Sequence, residues 1–105
     1  MTNIIVATFY YFTSLEDPAS LRDSLLDQLS SRHLRGTVLL APEGINGTLS
    51  GSRTDIDAAL STLRAFPAFA RLEHKESQAK FMPFYRLKVR VKKEIVTMGV
   101  PDIDP

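Results

Sequence analysis

The residues best suited by type and spacing to do chemistry lie in the stretch 36–52, which reads GTVLLAPEGINGTLSGS. An apolar strand runs into a turn that offers a carboxylate, Glu43, and an amide, Asn46, among the glycines Gly44 and Gly47. We call these four residues the interaction turn, because loops on a rigid scaffold commonly carry recognition groups for a ligand or a partner domain. The alternative is structural: Asn46 and the glycines form a hairpin turn, and Glu43 accepts hydrogen bonds from nearby backbone N–H groups.

A second candidate surface is a strand close to the C-terminal end, in which cations alternate with aliphatic residues. Period-two alternation places the cations on one face of a sheet and the aliphatic residues in the core. Like charges with no acid between them favour contact with a phosphate backbone, and the alternative is a solvated face of an antiparallel sheet. Phe81, Phe84 and Tyr85 precede this strand and can serve base stacking or core packing. The predicted RNA-binding residues, which we call the basic strand, are Arg86, Lys88, Arg90, Lys92 and Lys93.

The remaining chemistry-bearing residues predict no catalytic centre. The chain contains no cysteine, which excludes a disulfide, a zinc–thiolate site and a cysteine nucleophile within it. His33 and His74 lack metal-ligand spacing to each other or to paired carboxylates, so no metal site is predicted. Ser14, Ser50 and Ser52 have no adjacent base and no strand–elbow–helix context. We therefore predict no catalytic residue and no cofactor in this chain.

Composition indicates one globular domain with an uneven charge distribution. Of the 105 residues, 44% are hydrophobic and 24% charged, and the net charge is +1. Residues 1–70 hold five Lys or Arg against seven Asp or Glu, whereas residues 71–95 hold eight against three. This asymmetry predicts a local positive field on an otherwise nearly neutral protein. No signal peptide or membrane span is predicted, and the chain is expected to be cytoplasmic.

Hydrophobic periodicity predicts the elements that must position these residues. Strand 4–12 is rich in β-branched and aromatic residues, which predicts burial on both faces and a central place in the sheet. One helix is predicted from its cap Asp17 to near His33, and a second from Thr54 to before Pro67, with Asp57 as its capping-box partner. The other strands are predicted at 37–41, 47–50, 71–77 and 85–92, with an extension at 94–98. This order predicts an α+β, ferredoxin-like (acylphosphatase-like) βαββαβ sandwich with an extra C-terminal strand.

Three blocks carry a resemblance to a known family: FYYF at 9–12, GTVLLAPEGINGTLSG at 36–51 and RLKVRVKKEIVTMG at 86–99. Together they resemble the N-terminal region of the rhodanese-related tRNA uridine hydroxylases, which convert the wobble uridine of certain tRNAs to 5-hydroxyuridine in an oxygen-dependent reaction. The resemblance covers nearly the whole chain. It implies a domain at 1–99, and it implies that 100–105 begins a connector to a rhodanese-like domain, with a reactive cysteine, which this sequence does not include.

The resemblance therefore implies a substrate-positioning, tRNA-contacting domain that is not catalytic alone. Its expected partners are tRNA and the rhodanese-like domain, with no membrane. One alternative is an interaction module whose Glu43–Gly47 turn docks on that catalytic domain. A remote alternative is a small phosphatase similar to acylphosphatases, which place a phosphate-cradling arginine in the loop after the first strand. The corresponding loop here, 13–18, has two acids and no arginine.

Overall fold

The structure is a computed structural model that describes residues 4–81 and 86–93. In chain order the elements are β1 (Ile4–Phe12), α1 (Pro18–Leu29), β2 (Arg35–Ala41), β3 (Gly44–Gly51), α2 (Arg53–Arg64), a 3₁₀ turn (Pro67–Phe69), β4 (His74–Ala79) and β5 (Leu87–Val91). The strands form one sheet in the order β4-β1-β3-β2-β5. Neighbours are antiparallel except β2 and β5, which are parallel, so the sheet is mixed. The predicted ferredoxin-like fold with an additional strand is confirmed; the predicted extension at 94–98 and the connector at 100–105 lie outside the described residues.

Both helices pack on the same face of the sheet, which we call the helix face. On β1 this face presents Ile5, Ala7 and Phe9, all buried. They join one core cluster with side chains from both helices, including Leu25 of α1 and Ile56 of α2. Strand residues of the other parity point away from the helices, and we call that side the open face.

The prediction that β1 is buried on both faces was wrong. Its open-face side chains become progressively exposed: Thr8 is half-buried, Tyr10 is 40% exposed and Phe12 is 53% exposed. The central position was correct, since β1 pairs with β3 on one side and β4 on the other. A strand can have two neighbours and still meet helices on one face only, which is the case here.

The first helix starts where predicted and ends earlier. The Asp17 carboxylate accepts a hydrogen bond from the backbone N–H of Ser20 at 3.1 Å, and Pro18 occupies the first turn. The helix ends at Leu29 rather than near His33. The two serines that follow donate their hydroxyls to carbonyls of the last turn, which supplies partners that a further turn of helix would otherwise provide.

The second helix begins slightly before the predicted position. Its cap is Ser52 rather than Thr54, because the Ser52 hydroxyl accepts the backbone N–H of Asp55 at 3.1 Å. Asp55 is therefore the acid of the capping arrangement, a role predicted for Asp57. Asp57 instead forms an ion pair with Arg53 one turn away, at 3.0 Å.

Strand β4 is displaced from its predicted range, 71–77. Residues before it still belong to the turn that follows the 3₁₀ segment, where the N–H of Leu72 donates to the carbonyl of Phe69 at 3.0 Å. Leu72 is buried, so this turn is anchored in the core. The strand therefore starts at His74.

A polar network ties this edge strand to α2 on the helix face. Glu76 accepts two hydrogen bonds from the Arg53 guanidinium, at 2.6 and 3.1 Å, and contacts His74 Nε2 at 2.7 Å. His74 Nδ1 lies 3.1 Å from Nη2 of Arg64, and Nε of Arg64 donates to the backbone carbonyl of Leu72. The Arg53 hydrogen bonds, followed by that of His74, lower the pKa of Glu76 from its ordinary 4.5 to about 2.

The β2–β3 turn consists of Pro42 and Glu43, and Gly44 opens the next strand. Gly44 has a φ of +151°, and a Cβ atom there would overlap the backbone carbonyl oxygen of Tyr11. The turn is also tied to the β1–α1 loop, because the N–H of Thr13 donates to the Glu43 carbonyl at 3.0 Å. Any side chain at position 44 would thus disturb both the turn and β1.

We expect Gly44→Ala to lower the free energy of unfolding by about 1–3 kcal/mol, because it combines an unfavourable φ with a backbone clash. Pro42→Ala at the adjacent, exposed turn position is the control, with an expected loss of at most about 1 kcal/mol. Urea denaturation measures both variants. Equal stabilities of the two variants would contradict the requirement for glycine.

We also expect Glu76→Gln to flatten the acid dependence of stability. Because folding lowers the pKa of Glu76, its contribution is present above its ordinary value near 4.5 and disappears as the pH falls towards about 2. The difference in unfolding free energy between wild type and variant should therefore shrink across that interval. Denaturant curves recorded at several pH values from 6 to about 2 measure it, and a constant difference would exclude the assigned role.

Candidate functional site

Register across the sheet arranges the open face in transverse rows. One row joins the three half-buried threonines Thr8, Thr48 and Thr37, with Lys75 at the β4 edge and Lys88 at the β5 edge. Directly paired residues have Cβ atoms about 5 Å apart, so this row is a continuous strip of hydroxyls with a cation at each end. We call it the hydroxyl row. Hydroxyls both donate and accept hydrogen bonds, which suits a polar ligand.

The next row places residues from both predicted sites on one surface. Tyr10 pairs with Asn46, Asn46 with Leu39, and Leu39 with Arg90. Three strand spacings separate Tyr10 from Arg90, a distance of about 14 Å. The sequence predicted two separate surfaces, whereas the structure brings Asn46 and the basic strand together.

The basic strand shows the predicted alternation only at its centre, since Leu87 is half-buried and Val91 is 40% exposed. Val89 is buried, whereas Lys88 and Arg90 are exposed on the open face. Pairing continues one residue beyond each end of β5: the Arg86 carbonyl accepts the N–H of Gly36 at 3.0 Å, and the N–H of Lys92 donates to a β2 carbonyl at 2.7 Å. Both flanking cations are exposed, as is Lys93. The geometry thus presents the row of cations to solvent, and RNA binding by them stays a prediction.

The predicted interaction turn is not a single unit. The chain turns at Pro42 and Glu43, so Asn46 and Gly47 lie inside β3 rather than in the hairpin turn. Glu43 is exposed at the tip, while Asn46 is half-buried in the middle of the open face. An Asn–Gly dipeptide is a common hairpin turn, and here the Pro–Glu pair before Gly44 takes that place.

Gly47 has a packing role. A Cβ atom there would come within 2.8 Å of the Phe9 ring and 2.9 Å of the Thr37 carbonyl oxygen. The missing side chain therefore makes room for an aromatic ring on the helix face, as glycine in a strand often does.

Sequence reasoning missed the aromatic pair of the open face, Tyr10 and Phe12. Their ring centroids lie 5.6 Å apart with an interplanar angle of 77°. Thr8 and Tyr10 share one parity and both carry a hydroxyl, and this signal could have revealed a solvent-facing side of β1. Of the aromatic residues proposed for stacking, Phe81 is 83% exposed, while 84 and 85 lie outside the described residues.

Two shallow depressions lie on this surface. One, of about 390 Å³, is lined by Thr8, Tyr10, Glu73, His74 and Lys75 at the β4 edge. The other, of about 250 Å³, is lined by Thr37, Leu39, Asn46, Gly47 and Thr48 in the centre. Both depressions are lined by threonines of the hydroxyl row, so the concave parts of the open face coincide with its polar side chains.

Of the serines and histidines considered above, Ser50, Ser52 and His74 have structural partners, whereas Ser14 and His33 are exposed. Ser52 caps α2, and the Ser50 hydroxyl donates to the Arg35 carbonyl at 3.3 Å. His74 belongs to the network on the helix face. Within residues 4–81 and 86–93, no group of three or more His, Cys, Asp or Glu side chains is placed to hold a metal ion.

The β1–α1 loop does not form a phosphate cradle. The N–H groups of Thr13 and Leu15 donate to the carbonyls of Glu43 and Pro42, at 3.0 and 2.9 Å. The Asp17 carboxylate accepts the backbone N–H of Ser20 in the first turn of α1. In the part of the chain that the structure describes, no helix has the length and apolarity needed to cross a membrane.

Comparison with solved structures identifies the fold. A BLUF protein, BlrB in its dark state, aligns with a TM-score of 0.72 at 16% identity, over 89% of this chain and 76% of that chain. An acylphosphatase from Coxiella burnetii aligns with a TM-score of 0.56 at 11% identity, over 85% and 94% of the two chains. At these identities the likeness concerns the fold alone.

Comparison with curated proteins is much closer. The tRNA uridine(34) hydroxylase of Agrobacterium fabrum is 56% identical over 103 residues, and that of Teredinibacter turnerae is 54% identical over 105 residues. These alignments cover 98% and 100% of this chain and 33% of each relative, so the chain spans about one third of their length. A family model described as the UPF0176 acylphosphatase-like domain matches residues 4–95, and the chain belongs to that family.

Proposed function

We propose that this chain is the N-terminal, tRNA-contacting domain of a tRNA uridine(34) hydroxylase. The main support is identity of 54–56% along essentially the whole chain with two proteins of that name. In this role the domain binds and positions tRNA while the wobble uridine is converted to 5-hydroxyuridine elsewhere in the enzyme. We propose that the chain is not catalytic alone; it contains no cysteine, and Ser50, Ser52 and His74 serve the fold.

Partners and location follow from the same proposal. Curated relatives are about three times as long as this chain, so the remaining two thirds supply further domains, which we propose include a rhodanese-like catalytic domain. The substrate is a tRNA, and the place of action is the cytoplasm.

The surface proposed to contact tRNA is the β5 side of the open face. Lys88 and Arg90 point outwards there, flanked by exposed Arg86 and Lys92 at the ends of the strand. Four exposed cations along one strand repel each other unless counterions or a polyanion neutralise them. Binding a phosphate backbone releases counterions and relieves this repulsion, which favours a nucleic acid as the ligand.

We expect binding of an unmodified tRNA transcript to weaken steeply with salt, and the Lys88→Ala, Arg90→Ala variant to show a smaller slope. Each phosphate contact contributes about 0.7–0.9 to the slope of log affinity against log salt, so loss of both cations should reduce it by about 1.5. Fluorescence anisotropy at several salt concentrations measures the slope.

The matched control is Arg22→Ala with Arg32→Ala. Arg22 lies on α1 and Arg32 follows that helix, and each pairs with an acid, so this variant removes the same charge away from the basic strand. Its slope should stay near that of wild type. Equal slopes for both variants would show that net charge, rather than the basic strand, drives binding.

A docking role on the rest of the enzyme is the second candidate, and the position of Glu43 favours it. This carboxylate lies exposed at the tip of a hairpin that backbone hydrogen bonds hold to the β1–α1 loop, so it is presented on a rigid end of the domain. If docking is the role, the isolated chain lacks salt-dependent tRNA binding, and Glu43→Ala lowers turnover of the complete enzyme without unfolding this domain. Normal turnover of that variant would count against docking through Glu43.

A further inference from the structure

The aromatic pair on β1 is the feature of the open face that the proposed electrostatic contact leaves unused. Tyr10 and Phe12 are 40% and 53% exposed, although a large aromatic side chain gains most when it is buried. Their edge-to-face geometry uses one ring's edge and one face of the other ring. Each residue nevertheless keeps a large exposed fraction, which gives a flat partner ring surface to contact.

The surroundings of the pair suit a partner that is both aromatic and charged. The hydroxyl row with its terminal lysines runs beside it, and the depression of about 390 Å³ is lined by Tyr10 together with Thr8 and Lys75. Arg90 lies about 14 Å across the sheet in the same row as Tyr10. Glu73, at the rim of the depression, is an acid beside these cations.

We propose that the open face binds unpaired nucleotides of RNA, with bases stacked on Tyr10 and Phe12 and phosphates held by Lys75, Lys88 and Arg90. This inference rests on the proposed function and adds to it the class of RNA structure that is recognised. Stacking requires a base that has left the helical stack, so the ligand is a loop or another single-stranded segment rather than a duplex.

The charge pattern favours RNA over a protein as the occupant. The interior of a protein–protein interface is enriched in aromatic residues but depleted in lysine. Here a lysine lies at each end of the hydroxyl row. The centre of the open face carries hydroxyls and an amide instead of a continuous aliphatic patch. Hydroxyls and lysines beside exposed rings match the mixture of hydrogen-bonding, charged and flat surfaces that a nucleotide presents.

The first experiment measures binding of a fluorescein-labelled oligouridylate to the 105-residue chain and to its Tyr10→Leu, Phe12→Leu variant. Leucine keeps an apolar side chain on the strand and removes the aromatic face. We expect at least about 10-fold weaker binding with an unchanged salt slope, since stacking is lost and no charge changes. The Tyr10→Phe, Phe12→Tyr variant keeps both rings and should bind like wild type. Leu26→Ala is the matched control, because Leu26 is 38% exposed and lies on α1, away from the open face.

A second readout separates stacking from an indirect loss of structure. The chain has no tryptophan, so Tyr10→Trp introduces a unique fluorophore at the proposed stacking position. Addition of oligouridylate should quench its emission, whereas inorganic polyphosphate of equal charge should not. A tryptophan in place of Phe66, which packs against the core, should not respond to either polymer.

The outcomes distinguish this inference from the function it rests on. Loss of affinity in the leucine variant, with quenching of a tryptophan at position 10, supports nucleotide stacking on the open face, which we call the nucleotide platform. Salt-dependent RNA binding that is equal in wild type and leucine variant, or equal competition by polyphosphate, overturns the platform and leaves the electrostatic tRNA contact in place. Failure of the wild-type chain to bind any RNA overturns both. Loss of association with the rest of the enzyme in the leucine variant, with RNA binding unchanged, overturns the platform in favour of a protein-docking face.

Discussion

Packing of both helices on one face of the sheet is the constraint on which the rest of the structure depends. Because of it, the parity of a residue in the middle of β1 or β5 decides whether its side chain is buried. Ile5, Ala7 and Phe9 fill the core, while Thr8 and Tyr10 between them stay accessible. The same rule operates on β5, where a buried valine alternates with exposed cations. A change of one residue in register would exchange the two populations, so core packing also fixes which functional groups share the open face.

The position of Gly47 shows how closely the two faces are coupled. The glycine leaves room for the Phe9 ring on the helix face, and its neighbour Asn46 then points to the open face between Tyr10 and Leu39. The larger depression of the open face lies between β1 and the β4 edge, and the smaller one lies over β2 and β3. Packing on the helix face thus influences the surface shape of the open face. The fold by itself does not determine an activity, since the chain shares its architecture with a BLUF protein and with an acylphosphatase at 16% and 11% identity.

The sequence predicted most of the architecture but only part of the site. Elements with strong periodicity were found, including α2, whose predicted apolar residues Ile56, Ala59, Leu60 and Leu63 are all buried. The alternation of the basic strand was predictable because period two needs only local information. The exposure of Tyr10 was predictable only in part: the hydroxyls of Thr8 and Tyr10 mark one side of β1 as polar, but which side of a strand meets helices is decided by residues far away in sequence. The Asn46–Gly47 dipeptide led to a wrong position for the hairpin turn for a related reason. Its turn propensity is a local property, whereas the position of the observed turn before Gly44 depends on contact with β1.

Hydroxylation of a base constrains what a domain of this kind can contribute. Under the proposed function, the oxidant and the reacting group come from elsewhere in the enzyme, and this domain contributes contacts to the RNA. An enzyme that modifies a base needs that base outside the stack, and unstacking costs a few kcal/mol. Contacts to phosphates alone hold stacked and unstacked RNA alike and cannot offset that cost selectively. In the proposed binding mode, ring faces beside cations stabilise the open conformation of a loop in particular, and this would raise the share of bound tRNA whose uridine is accessible.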